Sequence, residues 1–374
     1  MKNKHSKLTT SVHAGSKGDP LHGGIVNPIY PSSAYDYDEV VRYPRYYNTP
    51  NQLAVVEKIT ALENAEDGIV FSSGMAAIMT SLLAMVKSGD HVVFQSDLYG
   101  GTHHAALNEL NRYGIEYSMV DAQPDKIKKS IRKETKVIYI ETPSNPLLKI
   151  TDIQGVAKVA KAHGIITIID NTFASPVNQN PLDFGIDIVT HSGTKYIGGH
   201  SDLCCGLMVS SKKLTAQIKG SAMHFGGSLD AQTCYLVERS LKTIVLRVNQ
   251  QNANAMTIAK FLESESKVNK VFYPGLKTHP LHAVAKKQMT GGFGGMLSFE
   301  VKGDPDKFMK KLKLIRKAVS LGGVESTINS PRKTSHAKLT AEERKQAGIS
   351  DKLVRLSVGI EDAKDLIADI KQAL

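Results

Sequence analysis

The sequence predicts an α/β protein with a mostly parallel central sheet and helices on both faces, followed by a smaller α+β C-terminal domain. Short continuous apolar runs such as Ile165 to Ile169 are typical of strands that are buried on both faces. Segments with apolar residues at helical spacing separate these runs repeatedly, and this alternation favours a parallel sheet. From about Val268 the pattern changes to short strands and a glycine cluster, which indicates a second domain.

The predicted elements follow one another along the chain. Residues 1–50 are rich in Pro, Tyr, Ser and Gly without clear periodicity, and we expect them to form an N-terminal arm. We further divide the chain into a large domain at 51–240 and a small C-terminal domain at 241–374. Helices are predicted at 53–62, 153–163 and in much of 228–264, and strands at 69–71, 91–95, 137–140, 165–169, 186–189, 206–209, 270–273 and 296–301.

The composition is that of an ordinary globular protein. Hydrophobic residues make up 41% of the 374 residues and charged residues 22%. No apolar run reaches membrane-spanning length and the first residues lack the apolar core of a signal peptide, so we expect a cytoplasmic protein without a membrane partner. Cys204 and Cys205 are adjacent in an apolar context, which predicts reduced core thiols.

The net charge of +11 leaves nucleic-acid binding as an alternative. The densest lysine cluster lies at 306–319, where Phe308, Leu312, Ile315 and Val319 recur at helical spacing. This spacing predicts a helix that keeps its lysines largely on the solvated side. Since no DNA- or RNA-binding motif accompanies the cluster, we favour a solvated basic face over a nucleic-acid partner.

An acid and a lysine follow two neighbouring apolar runs. Asp170 ends the first run, and Lys195 comes shortly after the second. Ligands of open α/β sheets bind beyond the carboxyl ends of the strands, so we expect both side chains in one crevice. Each alone is consistent with a helix-capping acid or a surface lysine. Together they match pyridoxal phosphate, which needs a lysine amine and a carboxylate for its ring nitrogen, and the hydroxyls of Ser192 and Thr194 can bind a phosphate.

A turn of small residues at 72–77 joins a predicted strand to a predicted helix. The backbone N–H groups at a helix N-terminus bind anions, and the helix dipole adds positive potential. Such a turn does not identify a ligand by itself. Beside Asp170 and Lys195, however, it indicates a phosphate site.

Two runs of sequence carry a family resemblance: DNTFASP at 170–176 and SGTKYIGGHSD at 192–202. They resemble the cofactor signature of the trans-sulfuration family, the pyridoxal-phosphate enzymes of cysteine and methionine metabolism. The resemblance extends from about Thr10 to the C-terminus. It implies a fold-type I, aminotransferase-like fold whose large domain binds pyridoxal 5'-phosphate and whose arm contacts a neighbouring subunit. The implied assembly is a homo-oligomer, with a homotetramer (a dimer of dimers) expected.

The resemblance also implies roles for individual residues. Lys195 would form the resting Schiff base and then move protons, and Asp170 would keep the ring nitrogen protonated. Tyr99 would stack over the ring and take part in catalysis. The implied cofactor-binding residues are Tyr43, Arg45, Gly74, Met75, Tyr99, Asn145, Asp170, Thr172, Ser192, Thr194 and Lys195. The implied substrate-binding residues are Asn145, Ser320 and Arg355.

Two of these residues would act in a neighbouring subunit. In the family, a tyrosine and an arginine at the positions of Tyr43 and Arg45 reach across a dimer interface to the partner's cofactor phosphate. The planar guanidinium suits this task because it can bind phosphate oxygens bidentately. The match is partial, because the family usually continues with Asn-Pro-Thr and this chain reads Asn-Thr-Pro at 48–50.

The implied reaction is cleavage of a carbon–sulfur bond in a sulfur amino acid. We expect cystathionine as the substrate, split by β- or γ-elimination into a thiol, a keto acid and ammonia. The alternatives are a methionine γ-lyase and a cystathionine γ-synthase type of replacement on an activated homoserine. Val319 resembles methionine γ-lyases, whereas Gly101 stands where those enzymes usually carry a cysteine. Leu321 replaces a tryptophan of one β-lyase branch, and His104 replaces a frequent arginine.

Two other interpretations are disfavoured. A non-catalytic binding protein could use the same scaffold, but the presence of both Lys195 and Asp170 argues against it. His103 and His104 do not predict a metal site, because adjacent residues of a helix point in different directions and no third ligand follows at a suitable spacing.

Overall fold

The computed structural model describes residues 5–335, 337 and 340–374. Its helices are α1 (Lys7–His13), α2 (Pro50–Glu63), α3 (Gly74–Leu83), α4 (Gly100–Asn108), α5 (Pro124–Lys129), α6 (Ile153–Ala162), α7 (Ser175–Asn178), α8 (Lys212–Phe225), α9 (Ala231–Leu241), α10 (Ile244–Ser264), α11 (His282–Gln288), α12 (Pro305–Lys311), α13 (Ala341–Gln346) and α14 (Ala363–Ala373). Its strands are β1 (Asp67–Phe71), β2 (His91–Gln95), β3 (Glu116–Val120), β4 (Thr135–Glu141), β5 (Ile166–Asp170), β6 (Ile188–Ser192), β7 (Gly206–Ser210), β8 (Val268–Phe272), β9 (Met296–Val301), β10 (Arg316–Lys317), β11 (Thr327–Asn329) and β12 (Leu353–Ser357).

The first sheet has seven strands in the order β1-β7-β6-β5-β4-β2-β3. The five strands from β6 to β3 pair in parallel, and β7 runs antiparallel to both of its neighbours. This confirms the predicted mostly parallel sheet. The register pairs Glu141 with Asp170 and Asp170 with Thr190, so the carboxyl ends of β4, β5 and β6 meet at one edge.

Alternate residues of the central strands pack into two different cores. Val93 and Ile138 belong to a cluster that contains residues of α2, α6 and α9, whereas their neighbours Val92 and Tyr139 belong to a cluster that contains residues of α3 and α8. Successive side chains of a strand point to opposite faces, so both faces of this sheet are covered by helices. This explains the continuous apolar runs of the sequence and confirms the predicted helices on both faces.

The second sheet has the order β10-β11-β12-β9-β8 and is antiparallel except at the pair β10–β11. Val354 and Leu356 of β12 pack into a core with residues of α10 and α14. Arg355 lies between them and therefore points to the opposite face. The first sheet lies within residues 67–210 and the second within 268–357; the division of the chain at residues 50 and 240 stays a prediction.

The helix predicted through residue 319 is shorter in the structure. α12 ends at Lys311, and the chain bends at residues 313–315 before it enters β10. The cause is a remote carboxylate: Asp369 of α14 accepts hydrogen bonds from the backbone N–H groups of residues 313, 314 and 315 at 2.8, 2.9 and 2.9 Å. Ile315 is buried, but Val319 is 71% exposed. Helical spacing in this segment therefore gave a wrong prediction.

The long helical region predicted at 228–264 is divided into α9 and α10, which are separated at residues 242–243. The helices predicted at 53–62 and 153–163 are present, and so are the strands predicted for the first sheet. Their ends differ from the predicted ones by a few residues. In the part of the chain that the structure describes, no helix has the length and apolar character needed to span a membrane.

We predict that Asp369→Asn lowers the free energy of unfolding by about 1–3 kcal/mol, because an amide oxygen accepts the three backbone N–H groups less strongly than a carboxylate does. Asp365→Asn, an exposed site on the same helix, is the matched control and should change that free energy by less than about 0.5 kcal/mol. Urea unfolding curves measure both.

Burial raises the pKa of Asp369, but its hydrogen bonds to backbone N–H groups outweigh burial and hold the pKa below its usual value. The charge-dependent stabilisation is thus complete near neutral pH and is lost as the pH falls through the lowered folded pKa. A wild-type advantage that stays constant on acidification would contradict this account.

Candidate active site

A cavity of about 500 Å³ lies at the carboxyl ends of the parallel strands and is lined from both sheets. Glu141, Asp170 and Ser192 are the last residues of β4, β5 and β6, and Arg355 comes from β12. Every predicted site residue except Tyr43 and Arg45 lines this cavity. These residues are Gly74, Met75, Tyr99, Asn145, Asp170, Thr172, Ser192, Thr194, Lys195, Ser320 and Arg355.

Lys195 follows β6 on a tight turn. The turn requires glycine at Gly193, where a Cβ atom would lie only 2.3 Å from the Sγ atom of Cys205. The Nζ atom of Lys195 donates a hydrogen bond to the Oγ atom of Ser320 at 2.7 Å. Burial lowers the pKa of the Lys195 amine and the Arg355 guanidinium lowers it further, against opposing effects of Cys204 and Asp170. The amine is therefore more readily deprotonated, and hence more nucleophilic, than an ordinary lysine.

Asp170 is only 6% exposed and is held by Thr172. Its Oδ1 atom accepts hydrogen bonds from the backbone N–H of Thr172 at 3.0 Å and from the Thr172 hydroxyl at 2.5 Å. The Oγ1 atom of Thr172 in turn accepts the backbone N–H of Ser192 at 2.7 Å. Burial raises the pKa of Asp170, while Thr172, His191 and Lys195 oppose that rise. The carboxylate is thus fixed in direction and prepared for a cationic or N–H partner.

The N-terminus of α3 lies against the end of β6. Ser73 caps this helix by accepting the backbone N–H of Ala76 at 3.1 Å. A Cβ atom on Gly74 would lie 2.8 Å from the Cβ atom of Ser192, so glycine permits the close approach. The first-turn N–H groups of a helix have no acceptor within the helix. Together with the Ser192 and Thr194 hydroxyls they form a donor set that suits a phosphate.

Arg355 is a buried cation with an unused donor. It is 6% exposed, and its Nη1 atom donates to the Oδ1 atom of Asn145 at 2.6 Å. Its buried Nε atom has no hydrogen-bond partner among the described residues. Burial lowers the pKa of Arg355 to about 10, with opposing effects of Tyr196, Glu141 and Tyr99, so the side chain stays charged at neutral pH. A buried guanidinium with a free N–H group fits an anionic ligand such as a carboxylate.

Ser320 sits on a strained segment above Lys195. Its φ angle of 71° is left-handed, a region that non-glycine residues rarely adopt. Two residues later Gly322 also has a positive φ, and a Cβ atom there would lie 2.8 Å from the backbone N of Tyr196. The N–H of Gly322 donates to the Oγ atom of Ser357 at 2.8 Å. This packing places the Ser320 hydroxyl at the Lys195 amine.

Sequence reasoning missed Glu141. Its side chain is 4% exposed, lines the cavity and accepts the backbone N–H of Tyr99 at 2.7 Å. Burial, with a contribution from the like charge of Asp170, raises the pKa of Glu141 well above its usual range. The signal available in the sequence was its position at the end of a strand, the same signal that singled out Asp170.

Cys204 corrects a second expectation. The adjacent cysteines predicted two core thiols, yet only Cys205 is buried, and Cys204 is exposed and lines the cavity. Adjacent residues of an extended segment point in opposite directions, so the pair cannot share one environment. The Thr194 hydroxyl lies 3.5 Å from the Sγ atom of Cys204, which places the thiol beside the expected phosphate site.

Tyr43 and Arg45 lie outside the cavity of their own chain. Both are exposed. The Arg45 Nη1 atom donates to the backbone oxygen of Met223, and its guanidinium carbon lies 5.7 Å from the centroid of the Tyr43 ring. His103 and His104 belong to no cluster of three or more potential ligands, and the described residues contain no such cluster.

The chain is similar to known proteins over nearly its whole length. The chain matches the sequence model of the family described as Cys/Met metabolism PLP-dependent enzyme over residues 8–374. It is 45% identical over 380 residues to cystathionine gamma-lyase of Bacillus subtilis (strain 168), with 98% of this chain and 99% of that protein covered. It is 44% identical over 375 residues to cystathionine beta-lyase of Lactococcus lactis subsp. cremoris (strain MG1363), with 98% of each covered. The crystal structure of cystathionine gamma-lyase from Lactobacillus plantarum complexed with L-serine gives a TM-score of 0.95 at 39% identity, covering 99% of this chain and 98% of that chain.

We predict that iodoacetamide modifies Cys204 in the native protein and leaves Cys205 and Cys234 unmodified. Burial raises the pKa of both of these other thiols, and both are shielded from solvent; the thiolate is the reactive form. Pyridoxal phosphate should slow the modification because Cys204 lines the cavity that fits it. Peptide mass spectrometry measures the labelling, and Cys204→Ser is the control that should abolish it. Comparable labelling of Cys205, or no protection by the cofactor, would contradict the placement of these thiols.

Proposed function

Because the chain belongs to the family of Cys/Met metabolism PLP-dependent enzymes, we propose that it is a carbon–sulfur lyase whose substrate is cystathionine. The observation that carries this proposal is the meeting of Lys195, Asp170 and Arg355 in one cavity. A lysine amine, a buried acid and a buried guanidinium supply the three contacts that an amino acid and this cofactor require. The relatives named as cystathionine lyases, which align over nearly the whole chain, support the choice of substrate.

The residues of the cavity fit pyridoxal 5'-phosphate. Asp170 would pair with its ring nitrogen, and the first turn of α3 with Ser192 and Thr194 would hold its phosphate. Tyr99, at the start of α4, would lie against the ring. When bound, this cofactor supplies an electron sink for negative charge at the substrate α-carbon.

Lys195 is the residue that we assign to proton transfer. Its lowered pKa keeps a larger share of the amine unprotonated at neutral pH than in an ordinary lysine, as a base requires. The hydrogen bond to Ser320 directs its Nζ atom. We assign to this amine the removal of the proton from the substrate α-carbon and the transfer of protons at the β-carbon.

Arg355 would bind the α-carboxylate of the substrate. That carboxylate would supply the acceptor that the Nε atom of Arg355 lacks. Asn145, already bonded to Nη1, fixes the plane of the guanidinium, and its amide group can reach the same substrate. The substrate amine would then be held on the side of Lys195, and the sulfur would extend toward Val319 and the mouth of the cavity.

Cleavage at the β- or the γ-carbon remains the open choice within this proposal. The matched relatives include a cystathionine gamma-lyase and a cystathionine beta-lyase at nearly equal identity. Methionine γ-lyase and γ-replacement on an activated homoserine are the alternative reactions of the same cavity. Val319 lines the cavity with an apolar side chain, which favours a substrate with apolar groups around the sulfur.

We further propose a cytoplasmic homo-oligomer, a dimer of dimers, in which Tyr43 and Arg45 complete the phosphate site of a neighbouring subunit. Their exposure supports this proposal, because the arm presents both side chains to solvent in the single chain. An exposed arginine can bind a phosphate bidentately once the partner's site is brought to it.

Identification of the keto acid tests the reaction. Protein loaded with pyridoxal phosphate is supplied with cystathionine, and the products are separated by mass. Pyruvate with homocysteine would establish β-elimination, and 2-oxobutyrate with cysteine would establish γ-elimination. Turnover of methionine, or of an activated homoserine with cysteine, without turnover of cystathionine would overturn the substrate assignment and leave the family membership intact.

The role of Asp170 is tested by Asp170→Asn. We expect kcat to fall by about a hundredfold or more, because the amide cannot stabilise a protonated ring nitrogen. Folding should be unaffected or slightly stabilised, since burial raises the pKa of Asp170 and the fold therefore disfavours its charge at neutral pH. Steady-state kinetics and urea unfolding measure the two effects, and Asp125→Asn, at an exposed position outside the cavity, is the control. Normal turnover by Asp170→Asn would rule out the assigned role.

A further inference from the structure

Lys333 lines the cavity but has no role in the proposed reaction. The charged side chains that line the cavity among the described residues are Glu141, Asp170, Lys195, Lys333 and Arg355. Three of them contact the cofactor or the α-carboxylate in the proposal, and Glu141 bonds to the backbone of Tyr99. Lys333 is therefore the cation that is available for another part of the substrate.

The position of Lys333 is tied to that of Arg355. Asn329, the last residue of β11, is paired in register with Arg355 of β12. The chain then turns through the 3₁₀-helix Pro331–Lys333, and the hydroxyl of Thr334 donates to the backbone oxygen of Ser330 at 3.0 Å. A short hydrogen-bonded turn at the end of β11 thus fixes where the backbone of Lys333 lies relative to Arg355.

Residues 333–335 of the same segment line the cavity. A Cβ atom on Gly100 would lie 2.9 Å from the backbone oxygen of Ser335, so this segment packs against the start of α4, next to Tyr99. Lys333 borders both the main cavity and a neighbouring surface depression that contains Asp306. Lys333 therefore lies at the boundary between the cavity and the exposed surface.

Lys333 shares its carboxylate partner with a second cation. The Oδ2 atom of Asp306 lies 2.7 Å from the Nζ atom of Lys333 and 3.0 Å from the Nη2 atom of Arg332. One carboxylate thus faces two cations, so one positive charge is left over. The Lys333 side chain is 57% exposed and has three N–H donors, so it can bind an anion while it keeps its bond to Asp306. Arg332 does not line the cavity.

We propose that Lys333 binds the distal carboxylate of the substrate and thereby selects thioethers that end in a carboxylate over those that end in a methyl group. This inference rests on the proposed function, in which Arg355 binds the α-carboxylate and the sulfur points to the mouth. A cystathionine-like substrate carries a second carboxylate at that end, whereas methionine carries only a methyl group.

Two compounds that differ only at the distal end test this selection. S-(2-carboxyethyl)cysteine and S-propylcysteine have the same chain length, but one ends in a carboxylate and the other in a methyl group. Each is measured on the holoenzyme as a substrate (KM) and, if it is not cleaved, as a competitive inhibitor (Ki). In Lys333→Met we expect a weakening of about fivefold for the carboxylate compound and less than about twofold for the propyl compound.

Two further variants serve as controls. Lys333→Arg keeps the cation and should bind the carboxylate compound within about twofold of the wild type. Arg332→Met removes the other cation from Asp306 and should leave the preference between the compounds unchanged. The inference is overturned if Lys333→Met weakens both compounds equally, if it weakens neither, or if Arg332→Met has the same selective effect. Because inhibition can be measured without turnover, this failure is distinct from a failure to cleave cystathionine.

Discussion

The buried carboxylate of Glu63 holds together the two strand ends on which the cavity is built. Glu63 closes α2 and is completely buried. One of its oxygens lies 2.6 Å from the Nε2 atom of His191 and accepts the amide of Asn171 at 2.9 Å, and the other accepts the amide of Asn180 at 3.1 Å. Asn171 directly follows Asp170, and His191 precedes Ser192 in β6. A buried carboxylate without these partners would be strongly unfavourable. The hydrogen bonds of Glu63 therefore fix the end of β5, at Asn171, and the end of β6, at His191, relative to each other.

The cavity next to this network contains two buried acids and two cations, and each of these groups affects the pKa of a neighbour. Glu141 and Asp170 are neighbours in the sheet register and both are disfavoured as anions by burial. Asp170 has the hydrogen bonds of Thr172 and the nearby amine of Lys195, so the anionic form is better supported at Asp170 and the proton at Glu141. On the other side, the Arg355 cation lowers the pKa of Lys195. The same arrangement that costs folding stability therefore supplies the buried acids, the amine with a lowered pKa and the buried guanidinium on which the proposed function depends.

The sequence predicted those features that depend on short segments. The apolar runs located the central strands, and the strand-end positions with the two motifs located Asp170 and Lys195. Features that depend on distant contacts escaped prediction. Helical spacing near residue 315 was overridden by Asp369, which lies more than 50 residues later in the chain. Glu63 and Glu141 acquire their importance only when burial and partners are known, and the functions proposed for Tyr43 and Arg45 require a second copy of the chain.

The two sheets contribute different groups of residues to the cavity. The first sheet and its helices supply Asp170, Lys195 and the first turn of α3, which would hold the cofactor in the proposed function. The second sheet and its connections supply Arg355, Ser320 and Lys333, which line the same cavity and would face the substrate in the proposed function. Substitutions at the substrate-facing rim can therefore change which sulfur amino acid fits without disturbing the buried network at Glu63. Relatives with β- and γ-lyase names align with this chain at nearly equal identity over almost its whole length, as such a separation predicts.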